Sequence, residues 1–344
     1  MSKKKRINLA LQGGGAHGAF TWGVLDRLLE EEDLDIAALT GTSAGALNGA
    51  AFKAGMLKDG RQGAKDNLDW LWREIGATDM GPLEGWMLGI SPAAVSQAVE
   101  MSPFYQGLDM LQRMTSPYAL GPFYNHPLAR IVEQFNYDKV CAQSGPDLFI
   151  CATNVRSGKI RIFAHDEIST DSILASGCLP TLFQAVEIYD PKTEREEAYW
   201  DGGYMGNPAL FPLFEPHLPQ DVVIVNINPL HREELPRKAT EIQNRINEIS
   251  FNGSLFRELR AIQFVRDLIA DGKVAEGSMK DVLVHMIADD ELMTQLSVAT
   301  KTLPQPYVLA ELKSAGRIAA ARFLDTHFDK IGSESSVNLR DMFD

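Results

Sequence analysis

The stretch LALQGGGAHGAF, residues 9–20, restricts the fold more than any other. An apolar run, Ile7 to Leu11, stops at a cluster of glycines. A helical pattern follows at once over Ala16 to about Glu31, with Phe20, Val24 and Leu28 four residues apart and Leu25 and Leu29 beside them. A second short run, Asp35 to Thr40, leads into Gly41-Thr42-Ser43-Ala44-Gly45 and then a small-residue helix, Ala44 to Met56. Strand, helix, strand, helix in this order implies parallel pairing with helices on the sheet's faces. The expected fold class is therefore α/β, a three-layer α/β/α arrangement around a mostly parallel central sheet.

The rest of the chain extends this pattern. Leu148 to Val155 and Ile160 to Ala164 flank a turn at Arg156–Lys159 and read as a hairpin. Ser169 is placed to cap a short helix ending at Ser176. Val186 to Tyr189 and Ala198 to Trp200 suggest another hairpin. Val222 to Ile227 is almost all β-branched and should be a central strand. Arg237 to about Ala270 reads as helix interrupted around Gly253. Val282 to Ile287 is a last strand, and Glu311 to Phe328 a last helix. Residues 60–140 differ in character. Three of the 5 tryptophans (Trp70, Trp72, Trp86) and five of the 12 methionines (Met80, Met87, Met101, Met110, Met114) fall between 70 and 114. This segment reads either as ordinary core or as an inserted apolar helical cap that forms a substrate pocket. One domain over 1–344 with that insertion fits better than two. The C-terminal tail, 331–344, is rich in serine and charge and is expected to be loose.

Gly13, Gly15 and Gly18 spell G-x-G-x-x-G, the form of a dinucleotide-phosphate loop. That reading requires an acid at the end of the second strand to hold the ribose. The only acid there, Asp35, stands at the wrong end. The strand ends instead in GTSAG, the G-x-S-x-G of a nucleophile elbow. A serine that attacks carbonyls stands on a sharp strand-to-helix turn, so the residues two before and two after it must be nearly without side chain. Gly41 and Gly45 meet that condition. Ser43 would then sit at a helix N-terminus, whose partial positive charge favours a developing oxyanion. Taken alone, the pentapeptide is equally compatible with a plain turn and a capping serine.

A serine nucleophile needs a base. Ser43, Asp201 and His285 or His327 would give the order of an α/β-hydrolase triad. But the elbow follows only the second strand, and the 7 histidines share no local motif. His285, inside the strand VLVHMI, reads as structural. Asp201 is the better base. It follows Ala198-Tyr199-Trp200 and precedes Gly202-Gly203, so its carboxylate can approach another backbone turn. It could act directly if burial raises its pKa toward neutrality. Asp-Gly alone is also a common turn pair.

Composition narrows the partners. Net charge is −13, which argues against nucleic acid. The basic start Lys3-Lys4-Lys5-Arg6 reads as solubilising, and no signal-type apolar segment follows it. No stretch approaches the ~18 uncharged apolar residues of a membrane span. Cys141, Cys151 and Cys178 suggest neither a disulfide framework nor a zinc site but reduced core thiols of a cytoplasmic protein. No acidic cluster has the form of a calcium loop.

Together these pieces resemble the patatin-like phospholipase family. GGGAHG is similar to its oxyanion loop, GTSAG to its elbow and DGG, residues 201–203, to its catalytic aspartate motif. The block Ala175-Ser176-Gly177-Cys178-Leu179-Pro180 and Asn207-Pro208 also resemble family features. The order and spacing agree over roughly residues 7–210. The resemblance implies that Ser43 is the nucleophile and Asp201 the base of a Ser-Asp dyad. Gly13, Gly14 and Gly15, with the amide of Ala44, would hold the oxyanion, and Gly18, Gly41, Gly45, Gly202 and Gly203 would shape the motifs. It implies a serine acyl hydrolase acting on lipid or another lipophilic ester, without metal or cofactor, in transient contact with a membrane or lipid surface. Acyl transfer from the same acyl-enzyme, and a non-catalytic lipid-surface or granule-binding protein, remain alternatives. His17 departs from the pattern, because many members carry Arg or Lys there. If a cation at that position matters, activity would be weaker or more pH-sensitive.

Overall fold

The computed structural model describes residues 4–76, 91–237, 239–275 and 277–343. Trp86, Met80 and Met87 lie outside them. The strands are β1 (Lys5–Leu11), β2 (Leu34–Gly41), β3 (Asp147–Asn154), β4 (Ile160–Ala164), β5 (Val186–Asp190), β6 (Arg195–Asp201), β7 (Asp221–Val225) and β8 (Leu283–Ile287). They form one sheet in the order β5-β6-β3-β2-β1-β7-β8, with β4 also paired to β3. The pairs β1–β2, β2–β3, β1–β7 and β7–β8 are parallel. The hairpin strands pair antiparallel, β3 with β4, β3 with β6, and β5 with β6. The sheet is thus mixed, parallel in the part built by crossovers.

Alternation along the strands feeds two separate cores, as a sheet covered on both faces requires. Ile7, Leu9 and Leu11 of β1, with Val223 and Val225 of β7, join one cluster with helices α1 (Ala19–Leu28), α2 (Ala44–Ile75) and the C-terminal helix Pro306–His327. Ala10, Val222 and Ile224 point to the other face and meet Leu255, Leu259 and Ile262 of the long helix Ala239–Ala270. β7 is buried throughout, one strand in from the β8 edge.

The structure departs from the sequence reading in four places. The first helix opens with a 3₁₀ turn, Gly15–Gly18, before α1 begins. The helix after the elbow runs on to Ile75 across a kink at Asp59 and Gly60. It places Leu68, Leu71 and Trp72 in the core, with Trp72 stacked on Trp22 at 6.1 Å, so residues 60–75 belong to the core and not to an insertion. The helix Ala239–Ala270 is continuous through Gly253, because Phe251, Leu255 and Leu259 on its buried face hold it where the glycine alone would weaken it. The tail is docked rather than loose. Leu339 is 1% exposed with Val337, Met342 and Phe343 packed around its cluster. Ser336 donates its N–H to the carbonyl of Val284, and Ser335 Oγ joins Arg266 to the Val284 amide. Polar residues that looked solvated in sequence bond to the backbone of the edge strand β8.

After residue 91 come α3 (Pro92–Met101) and α4 (Pro103–Met114), each started by a serine cap and a proline in the first turn. They expose Met101, Phe104, Met110, Leu111 and Met114, while Leu108 turns into the cavity described next. The remaining helices used below are α5 (Thr170–Ser176), α6 (Ala239–Ala270), α7 (Val298–Thr302) and α8 (Pro306–His327).

Candidate active site

β3 brings the two candidate residues together. β4 pairs with residues 149–153 of β3, which fills one edge. β2 pairs with 147–150 and β6 with 152–154, so both must take the opposite edge, end to end. Gly41 of β2 stands opposite Ile150, and Asp201 of β6 opposite Ala152. The strand that leads into Ser43 and the strand that ends at Asp201 therefore converge from opposite directions on adjacent positions of one edge.

Ser43 caps α2 in the strained conformation an elbow needs, φ 54 and ψ −118. The tight packing explains its neighbours. A Cβ on Gly45 would lie 2.2 Å from the carbonyl oxygen of Leu11, and one on Gly41 would lie 2.5 Å from that of Gly45. The Ser43 amide donates to Ser176 Oγ at 2.9 Å, and that hydroxyl donates to the Cys151 carbonyl at 2.6 Å. Ser176, at the end of α5, thereby fixes the elbow to β3.

Asp201 is 1% exposed. Its Oδ1 accepts from the Gly203 amide at 2.7 Å, which is what the glycines after it allow. Burial pushes its pKa up to about 7, against the opposing pull of the Gly203 N–H and the Ser43 hydroxyl. Gly202 packs on the Cys151 carbonyl, and Gly177 packs on Ser43.

The glycine loop is held by a buried amide network that sequence reasoning missed. Gln12 Oε1 accepts from the amides of Ile227 and Asn228 at 2.8 and 3.0 Å, and its Nε2 donates to the Asn207 carbonyl. Asn228 Nδ2 donates to the Gly13 carbonyl at 2.7 Å. The signal was present as Gln12 and Asn228, polar residues closing apolar strands. The loop residues do not share one role. Gly13 gives its N–H to Asn207 Oδ1 at 2.6 Å, which removes it from the expected oxyanion set. Gly14, Gly15 and Ala44 line the cavity beside Ser43. Gly15 needs its φ of +59, and a Cβ there would strike the carbonyl of Lys301. Gly18 packs against Ala44, and its carbonyl accepts from Asn48 Nδ2.

His17 is buried and points away from the cavity wall. Thr300 Oγ1 donates to the Ser297 carbonyl, so it accepts from His17 Nε2–H, at 2.9 Å. Burial, Lys301 and Arg232 hold its pKa well below the usual histidine value. His17 is neutral near pH 7 and supplies neither charge nor pH sensitivity there.

Ser43 and Asp201 open on a cavity of about 570 Å³. Leu47, Trp72, Leu128, Ile131, Leu182 and Phe183 line its apolar part, and Asn228, Asn244, Asn247, Glu248 and Lys301 its polar part. A strained serine at a helix N-terminus, a buried carboxylate facing it and an apolar cavity over both define a site suited to lipophilic acyl groups. The chain belongs to the patatin-like phospholipase family, whose model matches residues 9–214. That membership supports lipid hydrolysis as its activity.

Among solved structures, VipD from Legionella pneumophila is similar over 94% of this chain and 67% of its own, at 15% identity and a TM-score of 0.41. The type III effector ExoU is similar over 92% of this chain and 52% of its own, at 15% identity and a TM-score of 0.36. A complex of SpcU with ExoU from Pseudomonas aeruginosa matches over 94% and 54%, at 14% identity and a TM-score of 0.33. The chain thus spans between about half and two thirds of these proteins. No curated protein matches it. Among the described residues, no helix is long and apolar enough to cross a membrane.

Proposed function

We propose that the protein is a serine acyl hydrolase that cleaves fatty-acyl esters of lipids through Ser43, Asp201 and an acyl-enzyme. One observation carries this reading: a carboxyl buried against Ser43 with its pKa raised to about 7. An ordinary carboxylate is too weak a base for a hydroxyl, whereas one near neutrality combines an available ionised form with useful proton affinity.

The acyl chain occupies the apolar part of the cavity and brings its carbonyl over Ser43. Asp201 takes the Ser43 proton as Oγ attacks. The new oxyanion would lie at the N-terminus of α2 and at the start of the Gly15–Gly18 turn, and the amides of Ala44, Gly14 and Gly15 would receive it. Asp201 then gives the proton to the departing alcohol, leaving an ester on Ser43. Water enters and attacks the ester carbonyl, losing a proton to Asp201, and Asp201 returns that proton to Ser43 Oγ as the fatty acid is released. No step needs a metal or cofactor.

Fluorophosphonate labelling tests the scheme. Ser43 alone should be modified, Ser43→Ala should abolish labelling, and Asp201→Asn should slow it. Labelling that survives Ser43→Ala would remove Ser43 as the nucleophile.

A further inference from the structure

His17 is the one residue of the glycine loop that the reaction scheme leaves without a task. It sits in the Gly15–Gly18 turn and is buried. Among the described residues its one side-chain hydrogen bond is the one that Nε2–H gives to Thr300 Oγ1, and Nδ1 is buried without a partner. An imidazole bonded at one nitrogen takes its orientation from that partner. The same turn presents Gly15, at φ +59, to the carbonyl of Lys301. Both contacts come from α7, so a helix 283 residues further along the chain sets the position of the turn.

α7 does not hold itself in place. It has 5 residues, and Ser297, which precedes it, does not cap it with its own side chain. A helix this short stands only where its neighbours fix it. One neighbour is the turn, and another is α3. Ser96 of α3 is buried, accepts the Ser297 amide at 2.7 Å and donates to Ser297 Oγ at 2.9 Å. Thr300 donates to the Ser297 carbonyl at 3.0 Å and stands 3.3 Å from Ser96 Oγ. A buried line of hydrogen bonds thus runs from α3 through Ser297 and Thr300 to His17. α3 leads directly into α4, whose Leu108 lines the cavity, as do Val298, Lys301 and Thr302 of α7.

We propose that Ser96 and Thr300 are positioning residues, which through α7 make the seating of α3 a condition for the productive shape of the Gly15–Gly18 turn. The inference rests on the hydrolase reading. It gives α3 and α4 the part of a clamp whose seated form is the active one, rather than a cover that must leave before turnover. On that reading the amides at the start of the turn meet full charge only in the transition state. A loosened turn therefore lowers kcat and leaves KM nearly unchanged.

Turnover of nitrophenyl butyrate tests it, because so short an acyl chain makes little demand on the cavity wall at Leu108. Ser96→Ala and Thr300→Val should each lower kcat roughly tenfold, with KM within about twofold of wild type. Thr300→Ser keeps the hydroxyl and should keep most of the rate. The double variant, Ser96→Ala with Thr300→Val, should be about as slow as the slower single one, since both changes break one line. Fluorophosphonate labelling run to completion counts the intact sites. It should reach the wild-type extent in every variant, with only its rate reduced. A merely structural role would lower that extent and leave kcat per labelled site at the wild-type value, which overturns the proposal. A wild-type or higher kcat in Ser96→Ala also overturns it, as do single losses that multiply in the double variant. Each of these results leaves the hydrolase standing while the wild type turns over and labels at Ser43. A wild type that does neither overturns both.

Discussion

Replacing Asp201 by Asn should slow turnover sharply and, above neutral pH, make the protein more stable. Burial raises the carboxyl from 3.8 to about 7. The folded chain therefore holds this proton more tightly than the unfolded chain does. Between pH 3.8 and about 7 the native state binds more protons, so stability falls as pH rises, and the whole penalty is present above pH 7. A shift of about 3 units corresponds to about 4 kcal/mol. Asparagine keeps an acceptor for the Gly203 amide and has no charge to desolvate, so the variant escapes that penalty. In a chain of 344 residues, about 4 kcal/mol corresponds to about 6 °C in the unfolding midpoint. Thermal unfolding of both proteins at pH 4 and pH 8 is the assay. The gap should be near zero at pH 4 and about 6 °C in favour of Asp201→Asn at pH 8. Other groups, including Glu258, also raised to about 7, cancel in the difference. Wild-type kcat/KM should rise through about pH 7 as the base ionises, and the variant should lose about 10²–10⁴ of rate. A gap independent of pH, or a variant that turns over at the wild-type rate, would refute the reasoning.

Three further outcomes follow from the same geometry. Ser176→Ala removes the acceptor of the Ser43 amide and the donor to Cys151, and should cost roughly 1–3 kcal/mol in chemical denaturation while slowing fluorophosphonate labelling of Ser43. His17→Gln, which keeps a donor for Thr300, should leave the shape of the pH–rate profile unchanged, and a displaced limb would show that His17 titrates in the working range. Removing residues 332–344 strips Leu339 from its cluster and Ser336 from β8, and should lower stability by roughly 2–4 kcal/mol, whereas an unchanged midpoint would mean that the docked tail contributes nothing.

The elbow was legible in sequence because its constraint is local. Gly41, Ser43 and Gly45 belong to one turn, and the steric demand on them can be stated without knowing anything else. Asp201 was legible only as a strand end followed by glycines, since what raises its pKa is its burial in the folded chain. The different surroundings of Gly13 and Gly14 were not legible. Gly13 looks equivalent to Gly14 until Asn207, nearly two hundred residues later, takes its amide. The long helices were misread in two ways, one ended at Met56 and the other interrupted at Gly253. Gly60 does bend its helix, yet Leu68, Leu71 and Trp72 continue the same buried face beyond the bend. Gly253 does not interrupt its helix, because tertiary packing on both sides outweighs the propensity cost of about 1 kcal/mol. The tail was misjudged because serine and charge suggest solvation, and the single leucine that anchors it carries little periodic signal.

The shared edge of β3 separates what this chain is free to vary from what it is not. Ile150 and Ala152 act as two marks on a ruler, one for the strand that leads into Ser43 and one for the strand that ends at Asp201. Lengthening the turn at Arg156–Lys159, or the long excursion between α2 and β3, leaves both marks where they are. Adding or removing one residue between them shifts the two strands apart by about 3.3 Å and turns the following side chains to the other face. Loops of very different length can therefore be traded around this site while two positions on one strand keep its spacing.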